Sequence, residues 1–328
     1  MKTKLKLITL FENNRGRFLS GEELAEQLGC SRSAVWKAVT ALRRDGYDIR
    51  AVTNRGYCLS TGSDMISAAG IEKYLGDCPA EIRLSVHKTV SSTNTVLREM
   101  AEKGAPEGTV VISGTQTGGK GRLGRSFYSP ADTGLYLSIL LRPRMPAHDS
   151  VRITAAAAVA VAETVEQLSG RKAGIKWVND VMVEGLKVCG ILTEATLSLE
   201  NGGLDYAVVG IGINAYEPAG GFPEEIRSIA GAVFATPLDD TRNRLAAGVI
   251  TRFFRCCEDL ASKEMLASYR SRLMWKNERI SVTGGTGSLC CRLIDVENDY
   301  ALIVREDDGT ERRIISGEIS IRKEEHRQ

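Results

Sequence analysis

Residues 109–136 read TVVISGTQTGGKGRLGRSFYSPADTGLY: an apolar β-like run, a loop crowded with glycines and cations, and the start of a second apolar run. Gly118, Gly119, Gly121 and Gly124 free much of this backbone of Cβ atoms, so that amide N–H groups can come close to a ligand. Lys120, Arg122 and Arg125 add positive charge. The combination suits a phosphate-bearing ligand and marks the loop as the candidate active site.

Two phosphate motifs nearly fit and fail for physical reasons. Gly114 to Gly121 follows the Walker A pattern as far as Lys120, but Gly121 stands where a hydroxyl should reach Mg²⁺. Gly119, Gly121 and Gly124 spell G-x-G-x-x-G, yet Ser126-Phe127-Tyr128-Ser129-Pro130 is a poor start for the helix that a dinucleotide fingerprint must open. A flexible, solvated basic loop is the alternative, and the neighbouring segments weigh against it.

A chain of 328 residues implies two or three domains, and 43% hydrophobic with 26% charged residues is enough to bury a core without a bias to disorder. The apolar run Ala155 to Ala162 is too short to span a bilayer, and the opening MKTKLKLITLFENN soon turns polar. A soluble, unexported protein with no membrane partner is expected. None of the eight cysteines lies in a C-x-x-C arrangement, so neither a metal site nor a disulfide framework is indicated, and a cytoplasmic location follows. Charge is uneven: residues 1–60 hold 11 Lys/Arg against 6 Asp/Glu, and the remainder 32 against 35. The basic end is the candidate for an anionic partner.

That end also carries a recognisable pattern. Ser20-Gly21-Glu22-Glu23 is a capping box opening a helix with Leu24, Ala25 and Leu28 inward, ended by Gly29. Ser31 or Ser33 caps the next helix, where Val35, Ala38, Val39 and Leu42 fall at core spacing and leave Arg32, Ser33, Lys37, Thr40 and Arg44 outward. Tyr47 to Leu59 reads as two strands around Thr53-Asn54-Arg55-Gly56, a wing whose tip offers Arg55. A winged helix-turn-helix that binds DNA through Ser31, Arg32, Ser33, Lys37, Thr40, Arg44 and Arg55 is expected. A protein-docking helical domain fits less well, because the outer face is basic.

After a linker at Thr61-Gly62-Ser63, a helix near Met65 to Leu75 opens the next region. A strand from Ile82 to Lys88 delivers Thr89-Val90-Ser91-Ser92-Thr93-Asn94 to a helix start, where such a cluster is ordinarily an N-cap. Leu135 to Leu141 reads as a buried strand and Ile153 to Leu168 as an interior helix. Lys176-Trp177-Val178-Asn179-Asp180 leads into a hairpin turning at Glu184-Gly185. Lys187, with apolar neighbours, points either to solvent or into a pocket. Tyr206 to Asn214 is a strand whose Gly210 and Gly212 suggest close approach by a ligand or another backbone. A helix with Leu245, Val249, Phe253 and Leu260 on one stripe follows, and from Trp275 short strands suggest a small barrel.

Taken together, the winged helix, Ser92-Thr93-Asn94, Gln116 with GGKGRLGRSFYSP, KWVNDVMVEGLKVCGIL, VGIGIN and ISGEISIR resemble the bifunctional biotin protein ligases that also repress biotin synthesis. The resemblance covers nearly the whole chain. It implies a multidomain α/β protein: a winged helix-turn-helix over 1–62, a biotin/lipoate-ligase-like catalytic domain over 63–273, and an SH3-like barrel over 274–328. It implies Mg²⁺-dependent formation of biotinyl-5′-adenylate from biotin and ATP, transfer to a lysine of the biotin carboxyl carrier protein of acetyl-CoA carboxylase or another biotin-dependent carboxylase, operator binding, and a homodimer when the adenylate is bound.

By the same resemblance, Ser92, Thr93, Asn94, Gln116, Gly119, Lys120, Gly121, Arg122, Lys187 and Gly190 would hold biotin. Lys120, Arg122, Arg125, Lys176, Asn179, Lys187 and Asn214 would hold ATP or the adenylate, and Asp180 would meet Mg²⁺ through the phosphates. Lys187 and Arg122 would be catalytic. Attack of a carboxylate on an α-phosphate piles up negative charge, so fixed cations and oriented N–H groups are the useful catalysts. Three positions depart from the family pattern: Lys120 replaces its first loop arginine, Phe127 a tryptophan, and Val178 the proline of K-W-P-N-D. Lipoate ligases share the central architecture without the winged helix, and a ligand-sensing regulator without enzyme activity would retain the winged helix and pocket. Lys187 separates that regulator from an enzyme.

Overall fold

The computed structural model describes residues 2–197, 203–284, 287–315 and 320–323. These fall into two compact units: Met1–Asp77 with Thr236–Gly248, and Cys78–Ala235 with Val249–Gln328.

The first unit opens with α1 (Lys2–Asn13), α2 (Gly21–Leu28) and α3 (Arg32–Asp45), followed by the hairpin β1 (Ile49–Val52) and β2 (Gly56–Leu59) and then α4 (Ala68–Leu75). Local chemistry sets these boundaries. Ser20 Oγ accepts from the Glu23 N–H at 3.0 Å, and Ser31, rather than Ser33, accepts from the Ala34 N–H at 3.2 Å. Gly29 and Gly46, both left-handed, end α2 and α3. Leu7, Phe11, Leu24, Val35, Val39, Leu42, Ile49 and Leu59 form the core. At the wing, Gly56 is required, because a Cβ there would lie 2.1 Å from the Leu19 carbonyl oxygen.

The helix expected near Met65 starts only at Ala68. Ser67 is its N-cap, its Oγ accepting from the Gly70 N–H at 2.9 Å, while the Ser67 N–H donates to Asn243 Oδ1. The same unit holds a buried ion network. Arg15 reaches Glu12 and Asp240, both at 2.7 Å, and Lys73 reaches the same two carboxylates at 2.8 and 2.6 Å. Burial opposes both positive charges, but the carboxylates hold the Arg15 and Lys73 pKa values above their ordinary levels.

The second unit continues with β3 (Arg83–His87), α5 (Thr93–Glu102), β4 (Thr109–Ser113), β5 (Gly134–Leu141), α6 (Ser150–Ser169), β6 (Ala173–Lys176), β7 (Asp180–Val183), β8 (Leu186–Leu197) and β9 (Leu204–Asn214). It then runs through α7 (Glu224–Arg227), α8 (Thr241–Glu258), which begins within the first unit's segment, and α9 (Lys263–Arg272). Its main sheet has seven strands in the order β3-β4-β5-β9-β8-β7-β6, parallel only between β3 and β4. Side chains alternate across the sheet. Leu97 and Ala101 of α5 pack with Val111, Leu140 and Val208 on one face. The Thr154 hydroxyl of α6 meets that of Thr193, which points to the other face, 2.8 Å away.

The stripe expected to run to Leu260 stops earlier: α8 ends at Glu258, and Leu260 lies in the turn before Ser262 caps α9 through the Met265 N–H. Strands β10 (Arg279–Gly284), β11 (Gly287–Val296), β12 (Leu302–Arg305), β13 (Glu311–Ile314) and β14 (Ser320–Lys323) form a five-stranded antiparallel sheet with β13 and β14 at its edges. No pairing joins those two edges among the described residues. Residues 316–319, half of ISGEISIR, and the chain end after Lys323 lie outside the described residues. No helix among the described residues is long and apolar enough to cross a membrane.

Candidate functional site

The site lies on the α5 face of the main sheet. Gly190 of β8 pairs with Gly212 of β9, and Leu192 pairs with Gly210. A Cβ on Gly212 would stand 2.5 Å from the Phe127 ring, and one on Gly190 3.1 Å from it. A Cβ on Gly210 would stand 2.2 Å from Asn94 Oδ1. Gly210 and Gly212 were expected to admit a ligand or another backbone, and Gly190 to touch biotin. They make room instead for two side chains, the Phe127 ring and the Asn94 amide.

Asn94 is held from several sides. Its Oδ1 accepts from the Ser138 hydroxyl at 2.6 Å, and its Nδ2 donates to Glu194 Oε2 at 2.6 Å. Nor does the Ser/Thr/Asn cluster cap α5 through its own side chain. Ser92 makes no cap hydrogen bond, and Gln116 Oε1 accepts from the Thr93 N–H at 2.8 Å instead. The Gln116 amide nitrogen donates to Ser129 Oγ at 3.1 Å, which ties the start of α5 to both ends of the glycine-rich loop.

That loop is an ordered ribbon. The Phe127 N–H donates to Gly119 O at 2.9 Å, and the Gly121 N–H to Arg125 O at 2.7 Å. The Gly118 N–H donates to Ser91 O at 2.8 Å. The amides of Gly118 and Gly121, expected to face a ligand, are therefore committed to backbone partners, and Gly119 is small because a Cβ would meet Phe127 O at 2.5 Å. At the tip, Leu123 and Gly124 have φ of 59° and 72° in a short 3₁₀ turn over Arg122–Gly124. This turn is too short to supply the helix N-terminus of a dinucleotide site.

The charged end is built on β7 and β8. Lys187 Nζ lies 2.7 Å from Asp180 Oδ1. Simple alternation from Gly190 would put Lys187 on the opposite face. A β-bulge prevents this: Val181 pairs with Cys189 and Met182 with Lys187, so Val188 is an extra residue and Lys187 returns to the face that carries Asp180 and Gly190. Asn179 is locked by its Nδ2 donating to Ile191 O at 3.0 Å, and its Oδ1 accepts from Arg122 Nη1 at 3.0 Å. The Trp177–Val178 peptide is cis, the Trp177 indole N–H donates to Tyr300 O at 2.7 Å, and Lys176 lies over the Trp275 ring at 6.0 Å. Burial pushes the neighbouring Cys189 thiol far above its ordinary value, so it is a packed apolar group and not a thiolate nucleophile.

One cavity brings together Ser92, Thr93, Asn94, Gln116, Lys120, Gly121, Arg122, Arg125, Lys176, Asn179, Asp180, Lys187 and Gly190. Two residues expected there are not in its lining. Gly119 is consumed by the ribbon, and Asn214 donates to Gly231 O at 3.0 Å and so braces the chain after β9. Sequence reasoning gave no role in the site to Leu123, Ser126, Phe127, Trp177, Ile191, Leu192 and Ile211, all of which line the cavity. The signal for Phe127 was the glycine pair that accommodates its ring. One end of the cavity is thus amide, hydroxyl and apolar, and the other is cationic with fixed partners. Such a place can hold a neutral polar head group and stabilise negative charge developing beside it.

On α3 of the first unit, Arg32, Ser33, Trp36, Lys37, Thr40 and Arg44 are exposed along one stripe. Arg32, Lys37 and Arg44 make no ion pair among the described residues, and Arg55 on the wing lies over the Phe18 ring at 4.2 Å.

Comparison with known proteins gives these surfaces a context. The protein is 32% identical over 324 residues to the bifunctional ligase/repressor BirA of Bacillus subtilis (strain 168), covering 96% of this chain and 97% of that one. The chain belongs to the bifunctional ligase/repressor family. It is also 32% identical over 331 residues to BirA of Escherichia coli (strain K12), across 98% of each. Residues 86–214 match the biotin/lipoate A/B protein ligase family, and residues 3–58 match the HTH domain. Among solved structures, the biotin protein ligase from Aquifex aeolicus in complex with biotin and ATP superposes with a TM-score of 0.63 at 28% identity, over 74% of this chain and 99% of that one. In this family member, then, the ligase match runs from the end of β3 through β9, across the strands that build the cavity.

Proposed function

We propose that this family member is a biotin–[biotin carboxyl-carrier protein] ligase and an operator-binding repressor of biotin genes. The observation that carries the ligase reading is the cavity itself, where Lys187 on Asp180 and Arg122 on Asn179 stand beside the Asn94, Gln116 and Phe127 end. Biotin binds with its head group toward Ser92, Thr93, Asn94 and Gln116, and ATP lies along Lys120, Arg122, Arg125, Lys176 and Asn179. The biotin carboxylate attacks the α-phosphorus, the bond to the bridging oxygen breaks, and pyrophosphate leaves. Lys187 and Arg122, held in place beforehand, stabilise the added charge without reorganising. The ribbon then shields the mixed anhydride from water. A carrier lysine amine attacks the acyl carbon, loses its proton and releases AMP.

Among the described residues no group of three or more His, Cys, Asp or Glu could hold a metal ion, and Asp180 is the carboxylate in the cavity lining. A single carboxylate suits Mg²⁺ brought in on ATP phosphates, because this ion keeps phosphate oxygens and waters as its main ligands. It would add charge neutralisation at the phosphates.

The work divides as 1–62 for DNA, 63–273 for catalysis and 274–328 as an SH3-like barrel, and the location is cytoplasmic. Adenylate binding holds the Gly118–Arg125 ribbon closed over the site and favours a homodimer that places two winged helices on two half-sites. A ligand promotes dimerisation only as far as it binds the dimer more tightly. The test is direct: with biotin, ATP and Mg²⁺ the protein releases pyrophosphate, forms the adenylate and labels a carrier domain. Labelling with lipoate in place of biotin, or binding of biotin with no pyrophosphate, refutes the ligase reading.

A further inference from the structure

The outward stripe of α3 is not purely cationic. Trp36 is 57% exposed at its centre, whereas Trp177 is buried and Trp275 half-buried. A lone exposed aromatic needs no explanation. Thr40, one turn on, makes this one different. Its hydroxyl donates to the Trp36 carbonyl oxygen at 2.9 Å. That bond turns Oγ1 back to the helix and leaves the methyl as the outward part of an exposed side chain. An indole and a methyl therefore form an apolar strip framed by Arg32, Lys37 and Arg44.

This strip rests on the DNA-binding reading of the helix-turn-helix and gives it a specificity. Cations on the frame suit phosphates, which carry no sequence information. The strip between them would meet base edges in the major groove, where the apolar group on offer is the C5-methyl of thymine. We propose that Trp36 and the Thr40 methyl form a thymine-reading strip that contacts one or two T·A pairs in each half-site. The cationic frame argues against an apolar protein partner, because docking one there would desolvate three charges without pairing them.

The test uses the full-length protein with biotin, ATP and Mg²⁺. A binding duplex is selected from a random library, then remade with deoxyuridine replacing thymidine one position at a time, which removes only the methyl. Deoxyuridine at one or two positions weakens wild-type binding roughly threefold to tenfold. Trp36→Ala binds both duplexes equally, and Thr40→Ser, which keeps the hydroxyl, narrows the gap. Adenylate formation stays at the parent rate in both variants, which controls for folding. Equal binding of all deoxyuridine duplexes by the wild type, or a full penalty retained in Trp36→Ala, overturns the strip while leaving the repressor reading intact. Trp36→Ala that changes the sedimented mass but not the deoxyuridine penalty also overturns it, in favour of a contact between copies. Failure of the wild type to select any duplex refutes the repressor reading and the strip together.

Discussion

The molecule presents two cationic surfaces, and they are built in opposite ways. In the cavity, Lys187 on β8 is paired with Asp180 on β7, and Arg122 on the ribbon is bonded to Asn179. On α3, Arg32, Lys37 and Arg44 stand in solvent without an ion pair among the described residues. A cation that must stabilise a transition state has to be in place before the charge appears, and fixed partners achieve that. A cation that binds DNA gains from releasing counterions, for which a solvated, mobile side chain is sufficient. The two surfaces should therefore respond differently to substitution and to salt.

The sharpest break in that contrast is at Lys187. Lys187→Ala should slow adenylate formation on the order of 10²–10³-fold, about 3–4 kcal/mol, with the circular dichroism spectrum unchanged. A parent-like rate of pyrophosphate release would remove the lysine from catalysis. Next comes Gly210→Ala, whose Cβ would lie 2.2 Å from Asn94 Oδ1. Displacing Asn94 sacrifices hydrogen bonds to Ser138 and Glu194 at roughly 1 kcal/mol each, so KM for biotin should rise about tenfold or more while KM for ATP moves little. Equal changes in both would mean that Asn94 serves the whole cavity and not one end of it.

A smaller effect is expected at the ribbon tip. Arg122→Gly removes the contact with Asn179, so more of the adenylate should escape and acylate lysines of a bystander protein, read as biotin blotted on albumin. No increase, with biotin binding intact, would take Arg122 out of the cover. The smallest single effects belong to α3. Arg32→Ala and Lys37→Ala should each weaken DNA binding a few-fold and lower the slope of log K against log salt by about 1, while adenylation is untouched. A slope that does not change would place these cations away from phosphates.

Much of the first unit was legible because its signals are local. The Ser20 cap, the left-handed Gly29 and the Val35–Ala38–Val39–Leu42 stripe act within a few residues of each other. The start of α4 was not, since it depends on Asn243, far away in the chain, bonding the Ser67 N–H. Likewise α9 escaped notice because SKEMLASYRSRL is mostly polar, and its Met265, Leu266 and Tyr269 are buried by tertiary neighbours.

For the candidate site, the chain on its own determined the inventory: which stretch is rich in glycine and cations, which strands flank it, and which family the motifs resemble. Orientation came from elsewhere. Whether Lys187 met solvent or the cavity depended on one extra residue, Val188, in the pairing of β7 with β8, and register is a property of two strands, not one. The loop glycines were assigned to a ligand, yet Gly119 serves backbone pairing, and Gly190 and Gly212 serve the Phe127 ring. A missing Cβ is visible in a sequence, but the atom that occupies its space is not, because that atom is brought there by a strand or loop distant in the chain.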